Sequence, residues 1–164
     1  MYQKIPHPLD LYKNSILVLD EVLTPEECRE LIYSYKPTKQ WRTTYPMSIT
    51  GGFELQMAKK IQSQVNKYFK EVEIDWSEVV RWPPGSDQPL HFDTTSEETI
   101  LTSITYLNVT YSGGQTYIEN DMKVVPKVGR TVIFDGRYYK HGVTEVSNSD
   151  RYTLPIWYKI NTNK

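Results

Sequence analysis

The sequence has one cysteine, Cys28, so no intrachain disulfide can form. That favours a reducing compartment, and a cytoplasmic protein is the expectation. No apolar run approaches the roughly 18 residues of a membrane-spanning helix, and no early stretch resembles a signal peptide. Charge of one sign is also lacking: 19 Lys and Arg face 20 Asp and Glu, for a formal net charge of −1. Nothing in that balance demands a nucleic acid or an anionic membrane, and neither is expected as a partner. Repeats, low-complexity tracts and linker-like stretches are missing, so residues 1–164 read as one domain. A chain of this size buries roughly 70% of its unfolded surface, so one core suffices without covalent staples. Histidine is scarce, with only His7, His91 and His141. Tyrosine is abundant, at 13 residues. Aromatic residues suit half-buried pleated surfaces, and a tyrosine joins an apolar ring to a polar tip.

Two helices are expected early in the chain. A short strand in "SILVLDEVL" (15–23) precedes "TPEECRELIYSYKP", which has helix-start grammar. Thr24 is the N-cap, Pro25 takes the first helical position, and Glu27 completes a capping box. Cys28, Leu31, Ile32 and Tyr35 form one stripe, and Pro37 closes the helix. A second helix lies within Phe53–Phe69, where Leu55, Ala58, Ile61, Val65 and Tyr68–Phe69 recur at helical spacing. Between them, "PMSITGGF" (46–53) reads as a loop with a two-glycine hinge. From there on, short β-rich runs alternate with turn signals: 74–82, 88–93, 99–107, 115–119, 122–125, 130–134, 141–146 and 151–160. Gly85, Gly113–Gly114, Asn120–Asp121, Gly129 and Asp135–Gly136 punctuate them. The expectation is a helical part over about 1–72 and a mainly β core over about 73–160, a sandwich, barrel or jelly roll.

"PLHFDTTSEET" (89–99) places His91 and Asp93 two apart. In a strand, residues i and i+2 share a face, so both aim at one point while Phe92 turns away. His7 is flanked by prolines near the terminus. His141, opening a late strand, is the better third ligand. Two histidines and one carboxylate form a facial set that leaves adjacent positions of an octahedral Fe(II) open. Open positions suit oxygen chemistry, which needs a reductant and O₂ at one centre. A closed structural zinc site needs a fourth protein ligand, and Cys28 sits on a helix stripe. Arg151, ten positions past His141, presents a planar fork that matches a carboxylate and keeps its charge. A keto-dicarboxylic acid chelating iron at one end needs such a cation at the other. "DGRYYKH" (135–141) brings Arg137, Tyr138 and Tyr139 close to the last ligand.

Several pieces in this order resemble the prolyl 4-hydroxylase branch of the Fe(II)/2-oxoglutarate dioxygenases. They are "RWPPGSDQPLHFD" (81–93), "ITYLN" (104–108), "SGGQT" (112–116), "GRTVIF" (129–134), "HGV" (141–143) and "RYTLPIWY" (151–158). The resemblance spans about 81–160 and extends to the "VLTPEECRELI" helix. It implies a double-stranded β-helix, a cupin-like jelly roll with flanking helices. It implies Fe(II) on His91, Asp93 and His141, with 2-oxoglutarate as co-substrate, O₂ as oxidant and ascorbate as a candidate reductant. Arg151 and Tyr106 would hold the distal carboxylate of 2-oxoglutarate, and Ile104, Thr116 and Val143 would line its pocket. Trp157 would stand beside the iron on the substrate side. Arg137 and Tyr139, close to His141 along the chain, and Trp82, in place of a family tyrosine, are expected as further substrate contacts. The implied activity is hydroxylation of proline in a peptide or protein, coupled to decarboxylation of 2-oxoglutarate to succinate and CO₂.

The sequence also departs from the family. Tyrosines usual nine and three residues before the first metal histidine are Trp82 and Gln88 here, and an indole only donates. Three other readings stay open on sequence alone: the same chemistry on a free amino acid or small metabolite, a zinc hydrolase using the same ligands, and a non-catalytic jelly-roll binding module.

Overall fold

Thr24 opens the first helix with both halves of a capping box. The Glu27 amide donates to Thr24 Oγ1 at 3.1 Å, and the Thr24 amide donates to Glu27 Oε1 at 2.8 Å. Two of the four orphan donors at that helix end are thereby satisfied. Lys60 of the second helix donates to the same Glu27 carboxylate at 2.6 Å, which ties the two helices together. The computed structural model describes residues 16–36, 39–93, 98–119 and 122–161. His7, Pro37 and the Asn120–Asp121 turn lie outside them.

In chain order the elements are β1 (Leu17–Leu19), α1 (Pro25–Ser34), β2 (Tyr45–Ser48), α2 (Gly52–Val65), β3 (Val72–Trp82), β4 (Gln88–His91), β5 (Leu101–Tyr106), β6 (Ser112–Gly113), β7 (Thr116–Ile118), β8 (Met122–Val124), β9 (Thr131–Phe134), β10 (His141–Val143), β11 (Val146–Ser147) and β12 (Arg151–Ile160). β1, β9, β5, β12, β3 and β2 form a six-stranded sheet in that order. A second sheet runs β4, β10, β7, β8, and β11 pairs with β6. All recorded pairings are antiparallel. Two antiparallel sheets with helices on one flank match the expected jelly roll. Among the described residues, no helix is long and apolar enough to cross a membrane.

The two faces of the large sheet have different work. One face packs on the helices: Cys28 and Leu31 from α1, and Met57, Ala58, Ile61 and Val65 from α2, meet Val79, Ile133, Leu154, Ile156 and Tyr158. Cys28, Leu31, Leu154 and Ile156 are fully shielded from solvent. Burying each such aliphatic side chain contributes about 1.5–3 kcal/mol, so this layer carries most of the apolar stabilisation. Period-2 alternation sends the intervening residues to the opposite face. Register fixes which they are: Thr153 lies opposite Tyr106 and Val80, Pro155 opposite Ile104, and Trp157 opposite Thr102 and Trp76. Arg151, Thr153, Pro155 and Trp157 therefore share one face.

Three expectations need correction. "PMSITGGF" is not a loop. Tyr45–Ser48 pairs with β3 as an edge strand, and α2 begins at Gly52. The strand expected over 88–93 stops at His91. Past it, Asp93 is held because its amide donates to the Gly136 carbonyl at 2.9 Å. The strand expected over 141–146 is broken in two, and β11 crosses to pair with β6.

Candidate metal centre and anion pocket

His91 and His141 sit directly opposite each other across the β4–β10 pair. Their ring centroids are 4.4 Å apart. His91 Nε2 lies 3.7 Å from Asp93 Oδ1, and His141 Nε2 lies 3.2 Å from the same oxygen. One ligand atom from each of the three residues falls within 4.8 Å of the others. The three side chains named from sequence thus converge, although Asp93 lies beyond the end of its strand.

The rings are oriented by their other nitrogens. His91 Nδ1 lies 2.9 Å from the Pro89 carbonyl, and His141 Nδ1 lies 3.0 Å from the Tyr139 carbonyl. A carbonyl only accepts, so each ring carries its proton on Nδ1 and turns the Nε2 lone pair toward the partner ligands. This backbone support of histidine is usual for metal ligands. Thr102 Oγ1 donates to Asp93 Oδ2 at 2.6 Å, leaving Oδ1 for the metal position. Gly136 seals that side: a Cβ there would lie 2.2 Å from Asp93 Oδ2. The turn read at Asp135–Gly136 therefore braces the aspartate as well as reversing the chain. Phe134 packs edge-on against His141 at 4.6 Å.

Electrostatics follow the same geometry. Burial pushes the Asp93 carboxyl up, but the hydrogen bonds and charges of His141 and Thr102 outweigh it and hold the group below the usual carboxylate range. Burial pushes His141 down, and Asp93 reverses that to a net rise. Burial and the neighbouring His141 lower His91. A carboxylate that stays ionised beside imidazoles able to lose their protons is what a divalent cation requires.

Arg151 lies at the other end of this face. It is 1% exposed, and its guanidinium sits 4.8 Å over the Trp82 ring and 5.5 Å from the Tyr106 ring. Arg151 Nη2 donates to Thr116 Oγ1 at 3.3 Å, and Tyr106 Oη donates to the same hydroxyl at 2.6 Å. Among the described residues it forms no ion pair. Three buried donors there have no partner: Arg151 Nε, Trp82 Nε1 and Tyr111 Oη. Burial pushes the Tyr111 phenol up to about 12, against the opposing pull of the Arg151 charge. A dry site with one fixed cation and unmatched N–H and O–H donors fits a carboxylate. Gly114 makes the approach possible: its φ is +60°, and a Cβ would meet Arg151 Cδ and Tyr111 Cε2, each at 2.9 Å. Val143 is buried beside Trp82 and Tyr111, and Ile104 packs on the cluster of Tyr106 and Phe134.

The remaining residues fall into two groups. Trp157 is half-buried, stacks on Trp76 at 4.5 Å, and lies opposite the Thr102 that holds Asp93. Arg137 is buried, with its Nη2 3.5 Å from Asp135 Oδ2. Tyr139 is half-buried against the Phe134 cluster, and its carbonyl orients His141. Sequence reasoning missed Tyr111 and the bracing function of Thr102 and Gly136. Tyr111 stands two residues before a Gly-Gly pair, a signal for a turn but not for a ligand site.

A sequence profile of the 2OG-Fe(II) oxygenase superfamily matches residues 77–159, just over half of the chain. The chain belongs to this superfamily. As a 2OG-Fe(II) oxygenase it works with Fe(II), 2-oxoglutarate and O₂, and the three-ligand cluster and the donor-lined pocket are the parts of this chain that fit them. No curated protein matches the chain in sequence. Solved structures match in fold. A viral collagen prolyl hydroxylase from Paramecium Bursaria Chlorella virus-1, in a 2OG complex, is 20% identical with a TM-score of 0.73, over 88% of this chain and 95% of that one. A prolyl-4-hydroxylase from Pseudomonas putida is 19% identical with a TM-score of 0.72, over 92% and 95%. A prolyl hydroxylase from Trichoplax adhaerens, in complex with a hypoxia inducible factor peptide fragment, is 19% identical with a TM-score of 0.70, over 92% and 86%.

Proposed function

We propose that this oxygenase hydroxylates proline in a peptide or protein. The observation that carries the reading is the arrangement along β12. A buried guanidinium with unmatched donors lies at one end, at Arg151, and the three-ligand cluster sits near the other, beside Thr102 and Trp157. His91, Asp93 and His141 hold Fe(II), and Arg151 takes the distal carboxylate of 2-oxoglutarate. Tyr106 and Thr116 orient the guanidinium, while Trp82 and Tyr111 supply the donors that the missing family tyrosines leave unfilled. Ile104 and Val143 wall the channel and keep water from the co-substrate. When bound, iron and 2-oxoglutarate supply the oxygen-activating chemistry: one O₂ and one 2-oxoglutarate convert a C–H bond to C–OH, with succinate and CO₂ as co-products. Thr102 and Gly136 fix Asp93 throughout, and Trp157 borders the space that a substrate enters.

Proline as the target is supported by the three fold neighbours named above, all prolyl hydroxylases, one with a peptide bound. Half-buried aromatic side chains also suit proline-containing extended segments. Incubation with Fe(II), 2-oxoglutarate and pools of proline-containing peptides, read by mass spectrometry, tests the proposal. The expected result is a gain of one oxygen atom on proline with matching succinate. Turnover of free amino acids in place of every peptide would replace the peptide substrate, and succinate release with no hydroxylated product would overturn the reading.

A further inference from the structure

Glu78 is a carboxylate on the working face of the large sheet that no described residue engages by a hydrogen bond or ion pair. Register places Val80 opposite Thr153 and Ser77 opposite Ile156, so Glu78 shares its face with Trp82, Val80 and Trp76. That is also the face of Arg151, Thr153, Pro155 and Trp157. Glu78 is only partly exposed, and among the described residues it has no hydrogen bond and no ion pair. Burial alone raises its carboxyl above the ordinary range. A partly dehydrated carboxylate without a donor is unfavourable, and such groups normally find a counter-charge.

The neighbourhood says which counter-charge fits. Two residues away on the same face, Trp76 stacks on Trp157 with 19° between the ring planes, and both rings are half-buried. Indole faces attract cations, and a carboxylate at the edge of such a platform completes an ammonium or guanidinium site. The platform adjoins the metal centre, because Trp157 lies opposite Thr102, which holds Asp93. β12 alone separates β3 from β5, so Glu78 and Trp76 lie about 10 Å to the side of the Thr102 row. An extended peptide covers about 3.3–3.6 Å per residue, so that offset corresponds to one to three residues from the oxidised one.

Building on the reading above, we propose that Glu78, with Trp76 and Trp157, is the specificity site that receives a cationic group of the substrate, a lysine or arginine side chain within three residues of the target proline. The site acts on substrate binding and leaves 2-oxoglutarate binding alone.

A matched peptide set tests this. The peptides carry proline with lysine, arginine, norleucine, glutamine or glutamate one to three residues away. Binding is measured by calorimetry with Mn(II) in place of iron, and kcat/KM by oxygen gain where turnover occurs. The wild type should favour the lysine and arginine peptides over norleucine by about 10- to 100-fold, carried by Kd and KM rather than kcat. Glu78→Gln should erase that preference, and Glu78→Lys should move it to the glutamate peptide, both with an unchanged Kd for 2-oxoglutarate. Equal wild-type binding of lysine and norleucine peptides, or a preference that survives Glu78→Lys, would overturn the proposal. If the binding preference is found without oxygen gain on proline, the cation site stands and the prolyl hydroxylase reading falls.

Discussion

Replacing Arg151 by methionine should move the stability of the ligand-free protein and its affinity for 2-oxoglutarate in opposite directions. The guanidinium is 1% exposed, lies against Trp82 and Tyr106, and forms no ion pair among the described residues. A buried charge carries a dehydration cost of several kcal/mol, and the two ring contacts and the 3.3 Å bond to Thr116 offset only part of it. An apolar side chain of similar length removes that cost, so the ligand-free variant should be as stable as the wild type or more stable by about 1–4 kcal/mol. At about 2–4 °C per kcal/mol for a chain of this size, Tm rises by anything up to about 15 °C. Binding goes the other way. Truncating one side of a buried, hydrogen-bonded charge pair costs about 2–5 kcal/mol, which is roughly 30- to 4,000-fold in Kd. At a 2-oxoglutarate concentration of 100 times the wild-type Kd, ligand stabilises the wild type by about 2.7 kcal/mol and the variant by no more than about 0.9 kcal/mol. Thermal unfolding with and without 2-oxoglutarate, in the presence of Mn(II), reads both effects at once. The reasoning fails if Arg151→Met retains the wild-type shift with 2-oxoglutarate, or if the ligand-free variant loses more than about 2 kcal/mol.

Three further outcomes follow from the geometry. Thr102→Val removes the 2.6 Å bond to Asp93, so metal affinity should fall about 10- to 100-fold while the fold loses about 1 kcal/mol, as metal titration and denaturant unfolding would report. In Gly136→Ala the new methyl would lie 2.2 Å from Asp93 Oδ2, so metal uptake should drop further than in Thr102→Val, with a stability loss of about 1–3 kcal/mol; wild-type metal affinity in this variant would contradict the packing. Burial pushes the Cys28 thiol up to about 11 from an ordinary 9.0, so the fold favours the neutral thiol. Its contribution is complete below pH 9 and is lost as pH rises toward 11, a decline of about 2–3 kcal/mol that Cys28→Ala should lack in pH-dependent unfolding.

Much of this architecture is legible in the residues because local rules and tertiary needs agree. Thr24, Pro25 and Glu27 announce α1 through capping chemistry that the fold then uses. His91 and His141 open or close short strands, so pairing brings them face to face. Arg151 and Tyr106 belong to strands whose alternation is regular, and depth follows from it. What stays hidden depends on contacts between distant segments. β2 contains Pro46, and β6 and β11 have two residues each, too few for a period to register. Asp93 lies beyond its strand, and only the carbonyl of Gly136 reveals why it still points inward. Tyr111 and Glu78 look ordinary in sequence; the first gains meaning from Arg151 and the second from the β3–β12 register.

The most direct test is spectroscopic and anaerobic. Fe(II) followed by 2-oxoglutarate should produce the weak visible charge-transfer band of the keto-acid chelate in the wild-type protein. The band should saturate near one iron per chain and be lost in His141→Ala. A folded wild-type protein that yields no band at saturating 2-oxoglutarate, or a band of full intensity in His141→Ala, would contradict the assignment of this metal centre.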